Sequence, residues 1–155
     1  MIIQVKINGI DKEWDVDPGM ILLDLLRDKG YKSIKRGCDE GYCGACTILL
    51  DGQAAKSCVM LAGQAHKRSI TTVEGLGTMD EPHLLQKTFV EHGAVQCGYC
   101  IPGMLLSSKA LLDENPNPTE DDVKEAIDGN LCRCTGYVKQ IEAVLDTASI
   151  MRGEN

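Results

Sequence analysis

Aromatic residues are scarce in this chain. Trp14, Phe89 and four tyrosines make up 4% of 155 residues. The core must therefore come mainly from Leu, Ile, Val, Met and Ala. No stretch of 18 or more uncharged apolar residues occurs, which excludes a membrane-spanning helix. Positive charge is in the minority: 16 Lys and Arg face 23 Asp and Glu, a net charge of −7. Such a chain repels phosphate and is excluded from the usual nucleic-acid binders. A G-x-G-x-x-G after a strand is also missing, so the chain lacks a dinucleotide site of that type. The start, Met1-Ile-Ile-Gln-Val-Lys-Ile7, alternates like a strand and lacks the basic opening and apolar run of a signal peptide. A cytoplasmic location follows as the expectation. The 43% hydrophobic content is too high for a disordered chain.

Against this plain background stand eight cysteines. They fall into two sets of four. Cys38, Cys43, Cys46 and Cys58 read C-x4-C-x2-C-x11-C, and Cys97, Cys100, Cys132 and Cys134 read C-x2-C-x31-C-x-C. A disulfide framework suits secreted chains and is opposed by cytosolic glutathione. Eight cysteines in 155 residues is also below the roughly 8–10% of disulfide scaffolds. Structural zinc favours paired knuckles of C-x2-4-C form, which neither the three-cysteine run nor the C-x-C supplies well. The spacing C-x4-C-x2-C followed by a distant cysteine is that of plant-type [2Fe–2S] ferredoxins. Gly37, Gly41 and Gly44 interleave with these cysteines and allow the tight, close-approaching loop that a cluster needs. The second set contains a C-x-x-C, which also occurs in thioredoxin-like sites. Here it precedes Pro102 and an apolar-periodic helix instead of a βαβ unit. With Cys132 and Cys134 it supplies four thiolates for a second cluster.

Residues 1–75 read as a β-rich unit. Asn8-Gly9 and Asp51-Gly52 are hairpin signals. Met20 to Lys29 carries leucines at helical spacing, and Gly30 stops the helix. Trp14 and Val16 continue the alternation in the second strand, and Ile70 to Val73 forms a last one. The order is that of a ferredoxin-like β-grasp. Residues 76–82 read as a linker. Residues 83–155 turn helical, with four short helices: one around Leu84 to Phe89, one from Pro102 to Leu112, one from a Thr119/Asp122 capping box to about Asp128, and one from about Tyr137. The fold class is thus α+β, a β-grasp domain followed by an all-α four-helix domain. Each half has about 75 residues, a size at which one core rarely supplies more than ~3–5 kcal/mol, so a metal staple is useful. His66, His83 and His92 read as solvated surface residues, Gly75-Leu-Gly77 as linker, and Glu120-Asp121-Asp122 as a helix start.

Three segments carry a resemblance: Gly37-Cys-Asp-Glu-Gly-Tyr-Cys-Gly-Ala-Cys46, Gln96-Cys-Gly-Tyr-Cys-Ile-Pro-Gly103 and Gly129-Asn-Leu-Cys-Arg-Cys-Thr-Gly-Tyr137. In this order they resemble the small iron–sulfur subunit of the molybdenum hydroxylases, the xanthine oxidase family. The resemblance covers nearly the whole chain. It implies a non-catalytic electron-transfer subunit of a molybdenum-dependent oxidoreductase. It also implies a large subunit carrying molybdopterin and a medium subunit carrying FAD, as heterotrimers that can pair. Electrons would run from molybdenum to the C-terminal cluster, then to the N-terminal cluster, then to FAD. Cys38, Cys43, Cys46 and Cys58 match the N-terminal ligands. Cys97, Cys100, Cys132 and Cys134 match those nearer molybdenum. Gln96 and Cys134 match residues close to the pterin. Many relatives have Phe and Thr where this chain has Tyr99 and Ile101. A free-standing two-cluster carrier is the alternative function. Family substrates range over purines, nicotinate, other N-heterocycles, aldehydes and carbon monoxide, and a purine or related N-heterocycle is the expectation. Two oxidised clusters would take the charge from −7 to roughly −11. Lys32, Lys35, Arg36 and Arg133, all near ligands in the sequence, are the candidates to offset it.

Overall fold

The computed structural model describes residues 1–154. Among these residues five strands and five α-helices follow one another. The first hairpin pairs β1 (Ile2–Ile7) with β2 (Ile10–Asp15), closed by Asn8 and Gly9, both at positive φ. Two successive left-handed residues make the tight turn whose twist matches antiparallel strands. Helix α1 (Leu22–Asp28) buries Leu22, Leu23, Leu25 and Leu26. A second hairpin joins β3 (Thr47–Leu50) to β4 (Gln53–Lys56) through Asp51 and Gly52, again both left-handed. Strand β5 (Ser69–Thr71) lies parallel to β1 and antiparallel to β3. The sheet order is β2-β1-β5-β3-β4.

That order explains one departure from the alternation pattern. β1 alternates cleanly, with Ile3, Val5 and Ile7 buried, whereas β2 is an edge strand exposed along its length except at half-buried Trp14. Only one face and one neighbour cover it, so periodicity at β2 is not matched by burial. Lys12 and the acids Asp11, Glu13 and Asp15 on β2 also keep that edge from pairing with another sheet.

The last strand stops at Thr71. Val73 to Gly75 forms a single tight turn, and Val73 and Leu76 already pack against the second core. That core lies among α2 (Leu84–Glu91), α3 (Ile101–Glu114), α4 (Glu120–Ile127) and α5 (Val138–Met151), around Phe89, Met104, Val123 and Val144. The first core lies between the sheet and α1, around Ile3, Ile7, Leu23, Ile48 and Ile70. Each half thus has its own contiguous apolar cluster.

Capping sets the helix starts. Pro102 occupies the first turn of α3, where its missing N–H costs nothing. Thr119 accepts from the Asp122 backbone N–H, and the Asp122 carboxylate accepts from the Thr119 N–H and hydroxyl. Those bonds hold Asp122 below the usual carboxylate range. Thr119→Ala should cost about 1 kcal/mol, read as a small fall in the unfolding midpoint of the helical half. No helix among the described residues is long and apolar enough to cross a membrane.

Candidate metal centres

The first four cysteines are brought together by one loop and one turn. The loop joins α1 to β3 and carries Cys38, Cys43 and Cys46; Cys58 sits in the turn just after β4. The turn is tied to the strand start because Ser57 donates both its N–H (3.3 Å) and its hydroxyl (2.8 Å) to the Cys46 carbonyl. The loop curls its N–H groups inward, helped by Asp39 at φ +66°. The Glu40 N–H points at the Cys38 sulfur (3.4 Å), and those of Cys43 and Tyr42 join it. Three donors on one sulfur favour the thiolate and bring Cys38 down to about 6. Burial pushes Cys58 up to about 12. Any metal held by this inner thiol would have to displace a tightly held proton. Gly37 has no room for a side chain: a Cβ there would lie 2.7 Å from the Cys43 sulfur.

The second four lie at the start of α3 and in the loop between α4 and α5. Cys100 caps α3, whose N-terminal end favours negative charge. Burial pushes it up to about 12. Burial also acts on Cys132, but the Thr135 hydroxyl, donating at 3.1 Å, and nearby backbone N–H groups outweigh it and leave that thiol below its ordinary value. The Thr135 hydroxyl is itself held by the buried Gln140 amide at 3.1 Å, which also donates to the Ala94 carbonyl. The Cys132 N–H donates to the Tyr137 hydroxyl at 2.8 Å, with Tyr137 left-handed at φ +67°. Thr135-Gly-Tyr137 thus folds back over the C-x-C and orients it. Gln96, Cys97 and Cys134 are exposed and form the outward face of this site.

Within each set the thiols meet as pairs. Cys38 is within hydrogen-bonding reach of Cys43, and Cys46 of Cys58. In the second set Cys97 reaches Cys134, and Cys100 reaches Cys132. No group of three or more His, Cys, Asp or Glu among the described residues gathers about a point as ligands of one metal ion. Two plus two is the donor arrangement of a [2Fe–2S] cluster, in which four thiolates are divided between two irons. A mononuclear zinc site needs its four ligands around one point. The residues present fit the cluster.

The two sets flank one tight seam. The Leu131 N–H, next to Cys132, donates to the Cys43 carbonyl at 2.9 Å. Gly44, at φ +77°, packs against Gly129, Asn130 and Gly103 so closely that a Cβ would lie 2.3 Å from the Gly129 oxygen. Asn130 is buried and donates to the Ser107 hydroxyl at 2.8 Å. The Lys56 ammonium donates to Thr47 Oγ1 and to the Gly129 carbonyl, each at 3.0 Å. The Lys35 ammonium lies 5.3 Å from the centre of the Tyr99 ring and 3.4 Å from the Tyr99 carbonyl. The Tyr99 hydroxyl returns a bond to the Arg36 carbonyl at 2.5 Å.

Of the basic residues singled out in the sequence, Lys35 is the one placed against the second set. Arg36 is occupied by Asp24 and Asp39, and Lys32 by the Arg27 carbonyl. Arg133 is exposed between the two thiols of the C-x-C. Lys56 was not among them, although it lies two residues before Cys58. The histidines serve local structure: His66 accepts from the Gln4 N–H, His83 caps α2, and His92 sits by Asp146. Burial holds His83 below its usual range.

Comparison with known proteins gives the family. Residues 5–71 match the model of a 2Fe-2S iron-sulfur cluster binding domain, and residues 72–145 that of a [2Fe-2S] binding domain. The chain is 52% identical over 143 residues to the nicotinate dehydrogenase small FeS subunit of Eubacterium barkeri, covering 92% of this chain and 91% of that one. Quinoline 2-oxidoreductase from Pseudomonas putida 86 superposes with a TM-score of 0.93 at 46% identity, over 100% of this chain and 98% of its chain. Aldehyde oxidoreductase from Desulfovibrio gigas superposes at 0.96 with 40% identity, all of this chain corresponding to 18% of that longer one. With two 2Fe-2S binding domains and relatives of this kind along its whole length, the chain belongs to the small iron–sulfur subunits of the molybdenum hydroxylases, the non-catalytic electron-transfer subunits of molybdenum-dependent oxidoreductases.

Proposed function

We propose that Cys38, Cys43, Cys46 and Cys58 hold one [2Fe–2S] cluster and that Cys97, Cys100, Cys132 and Cys134 hold the other. The division runs through two domains, residues 1–75 and 83–155, with 76–82 between them. The observation that carries this reading is the two-plus-two pairing of the eight thiols. When bound, each cluster accepts and releases one electron at a time. The chain supplies the wiring around them. The Leu131 N–H to Cys43 carbonyl bond gives a continuous path from one ligand loop to the other.

The outward face of Gln96, Cys97 and Cys134 is the side turned to a molybdopterin-bearing large subunit, with Gln96 and Cys134 closest to the pterin. Apolar Tyr42 and Val59 are exposed beside the first set and face an FAD-bearing medium subunit. Electrons then enter at the C-terminal site and leave at the N-terminal one. Cysteines committed to iron–sulfur clusters instead of disulfides suit a reducing, cytoplasmic setting. The substrate of the complex is an N-heterocyclic ring of the nicotinate or quinoline type, in preference to a purine. This rests on relatives named for nicotinate and quinoline at 52% and 46% identity.

Thr135→Val tests the ligand assignment. It removes the donor to Cys132 while keeping the shape. The C-terminal cluster should become several-fold harder to reduce at fixed potential, with the N-terminal one unmoved, in a redox titration followed by electron paramagnetic resonance. The substrate reading is tested by purifying the native complex and assaying nicotinate, quinoline, purines and aldehydes. Turnover of nicotinate or quinoline above the others is expected; turnover of purines or aldehydes alone contradicts it.

A further inference from the structure

Two lysines of the N-terminal half cross the seam, one to each ligand loop of the other half. Lys56, at the end of β4, reaches the Gly129 carbonyl and Thr47 Oγ1 at 3.0 Å each. Thr47 directly follows Cys46, and Lys56 stands two residues before Cys58. Lys35 lies against the Tyr99 ring and carbonyl, inside the Cys97-x-x-Cys100 loop. Both lysines are partly covered as residues; the Lys56 contacts are half-buried, whereas the Lys35 ammonium meets Tyr99 at the surface. Their hydrogen bonds go to carbonyl and hydroxyl oxygens, which leave the positive charge uncancelled. Arg36, by contrast, spends its charge on Asp24 and Asp39. We propose that Lys56 and Lys35 set the two cluster potentials separately, Lys56 favouring reduction at the Cys38/Cys43/Cys46/Cys58 site and Lys35 favouring it at the Cys97/Cys100/Cys132/Cys134 site.

The physics is direct. Reduction adds one negative charge to a cluster. A fixed positive charge nearby stabilises the reduced form more than the oxidised one, and more strongly where water is excluded. Burial lowers both lysines from their ordinary value, while the thiols act the other way: Cys46 and Cys43 lead among them for Lys56, Cys100 and Cys97 for Lys35. Each lysine therefore stands nearer one set of thiols: Lys56 bonds Thr47, which directly follows Cys46, and Lys35 bonds Tyr99, between Cys97 and Cys100. The order of the two potentials decides whether an electron moves from the C-terminal to the N-terminal site. Lys56, at the receiving end, favours that transfer, and Lys35, at the giving end, works against it.

This inference rests on the two-cluster reading, and the test separates the two. The complex is purified with wild-type, Lys56→Gln, Lys56→Arg, Lys35→Gln and Lys35→Arg chains, and both clusters are titrated by electron paramagnetic resonance. Lys56→Gln should lower the reduced-to-oxidised ratio of the N-terminal cluster about tenfold at fixed potential, a shift of about 59 mV for a one-electron couple. The C-terminal cluster should stay within about twofold. Lys35→Gln should do the converse, by about threefold because that lysine is held by a single longer hydrogen bond. The arginine variants should match wild type. Equal shifts of both clusters, no shift, or a shift in the arginine variants overturns the inference while both signals are present. A wild-type complex with one cluster signal at full iron loading overturns the two-cluster reading beneath it. Should Lys56→Gln fail to load iron, Lys56→Arg must load with an unchanged potential, and Lys35→Gln still decides its half.

Discussion

Replacing Gly44 by alanine should destabilise the iron-loaded chain by about 2–5 kcal/mol and loosen the contact between its two metal-binding halves. Two costs add. Gly44 is left-handed at φ +77°, a conformation that costs an L-residue about 1–2 kcal/mol. Its Cβ would also meet the Gly129 oxygen at 2.3 Å and the Asn130 Oδ1 at 2.5 Å, so that backbone on the opposing half has to move. Overpacking of that kind costs typically 1–3 kcal/mol. Against a total stability of about 5–15 kcal/mol this is a large fraction. Gly9→Ala is the control, because Gly9 has φ +82° but nothing within 4 Å of its Cβ. It should show the backbone cost alone. The thermal unfolding midpoint of the loaded chain reads the difference. A Gly44→Ala midpoint equal to that of Gly9→Ala would mean that the seam is not tightly packed.

Cys58→Ser and Cys100→Ser should each remove one cluster and leave the other. Both thiols are buried and sit at about 12, pushed up by that burial. Iron can displace their proton because thiolate is a soft, strong ligand. A serine hydroxyl at the same depth is a poorer donor with a still more tightly held proton, so the second member of its pair has no partner on the same iron. Iron content should fall by half in each variant. Because each half has its own apolar core, the loss should be local. Cys58→Ser should leave the helical half loaded and its spectrum intact, with proteolysis confined to the sheet half; Cys100→Ser should do the reverse. Loss of all iron in either variant would show that the two sites assemble as one unit.

Much of this organisation is legible in the sequence because it is local. Asn8-Gly9 and Asp51-Gly52 each specify a turn through their own backbone preferences, and both turns are present. The capping box at Thr119 and Pro102 at the head of α3 act within a single helical turn. The cysteine spacing is legible for the same reason: three thiols on one tight loop are placed by that loop. What spacing cannot reveal is which thiol pairs with which, since Cys97 meets Cys134 and Cys100 meets Cys132 across more than thirty residues. The seam is invisible for a stronger reason. Lys56 meets Gly129 over 73 positions and Thr47 meets Asn130 over 83, with no periodicity connecting them. Sequence proximity to a ligand singled out Lys35, but along with it Arg36 and Lys32, which the fold occupies elsewhere, and it passed over Lys56. Proximity in space selects Lys35 and Lys56. The edge position of β2 was likewise beyond reach, because alternation shows a strand without showing its place in the sheet order.

Eight thiols that hold two [2Fe–2S] clusters, one in each half, leave a definite analytical signature. Iron, sulfide and zinc analysis of the purified native protein, paired with electron paramagnetic resonance of the reduced form, tests for it most directly. About four iron and about four acid-labile sulfide per chain are expected, with two distinct [2Fe–2S] signals. Zinc without sulfide, or a single cluster signal at full metal loading, would contradict it.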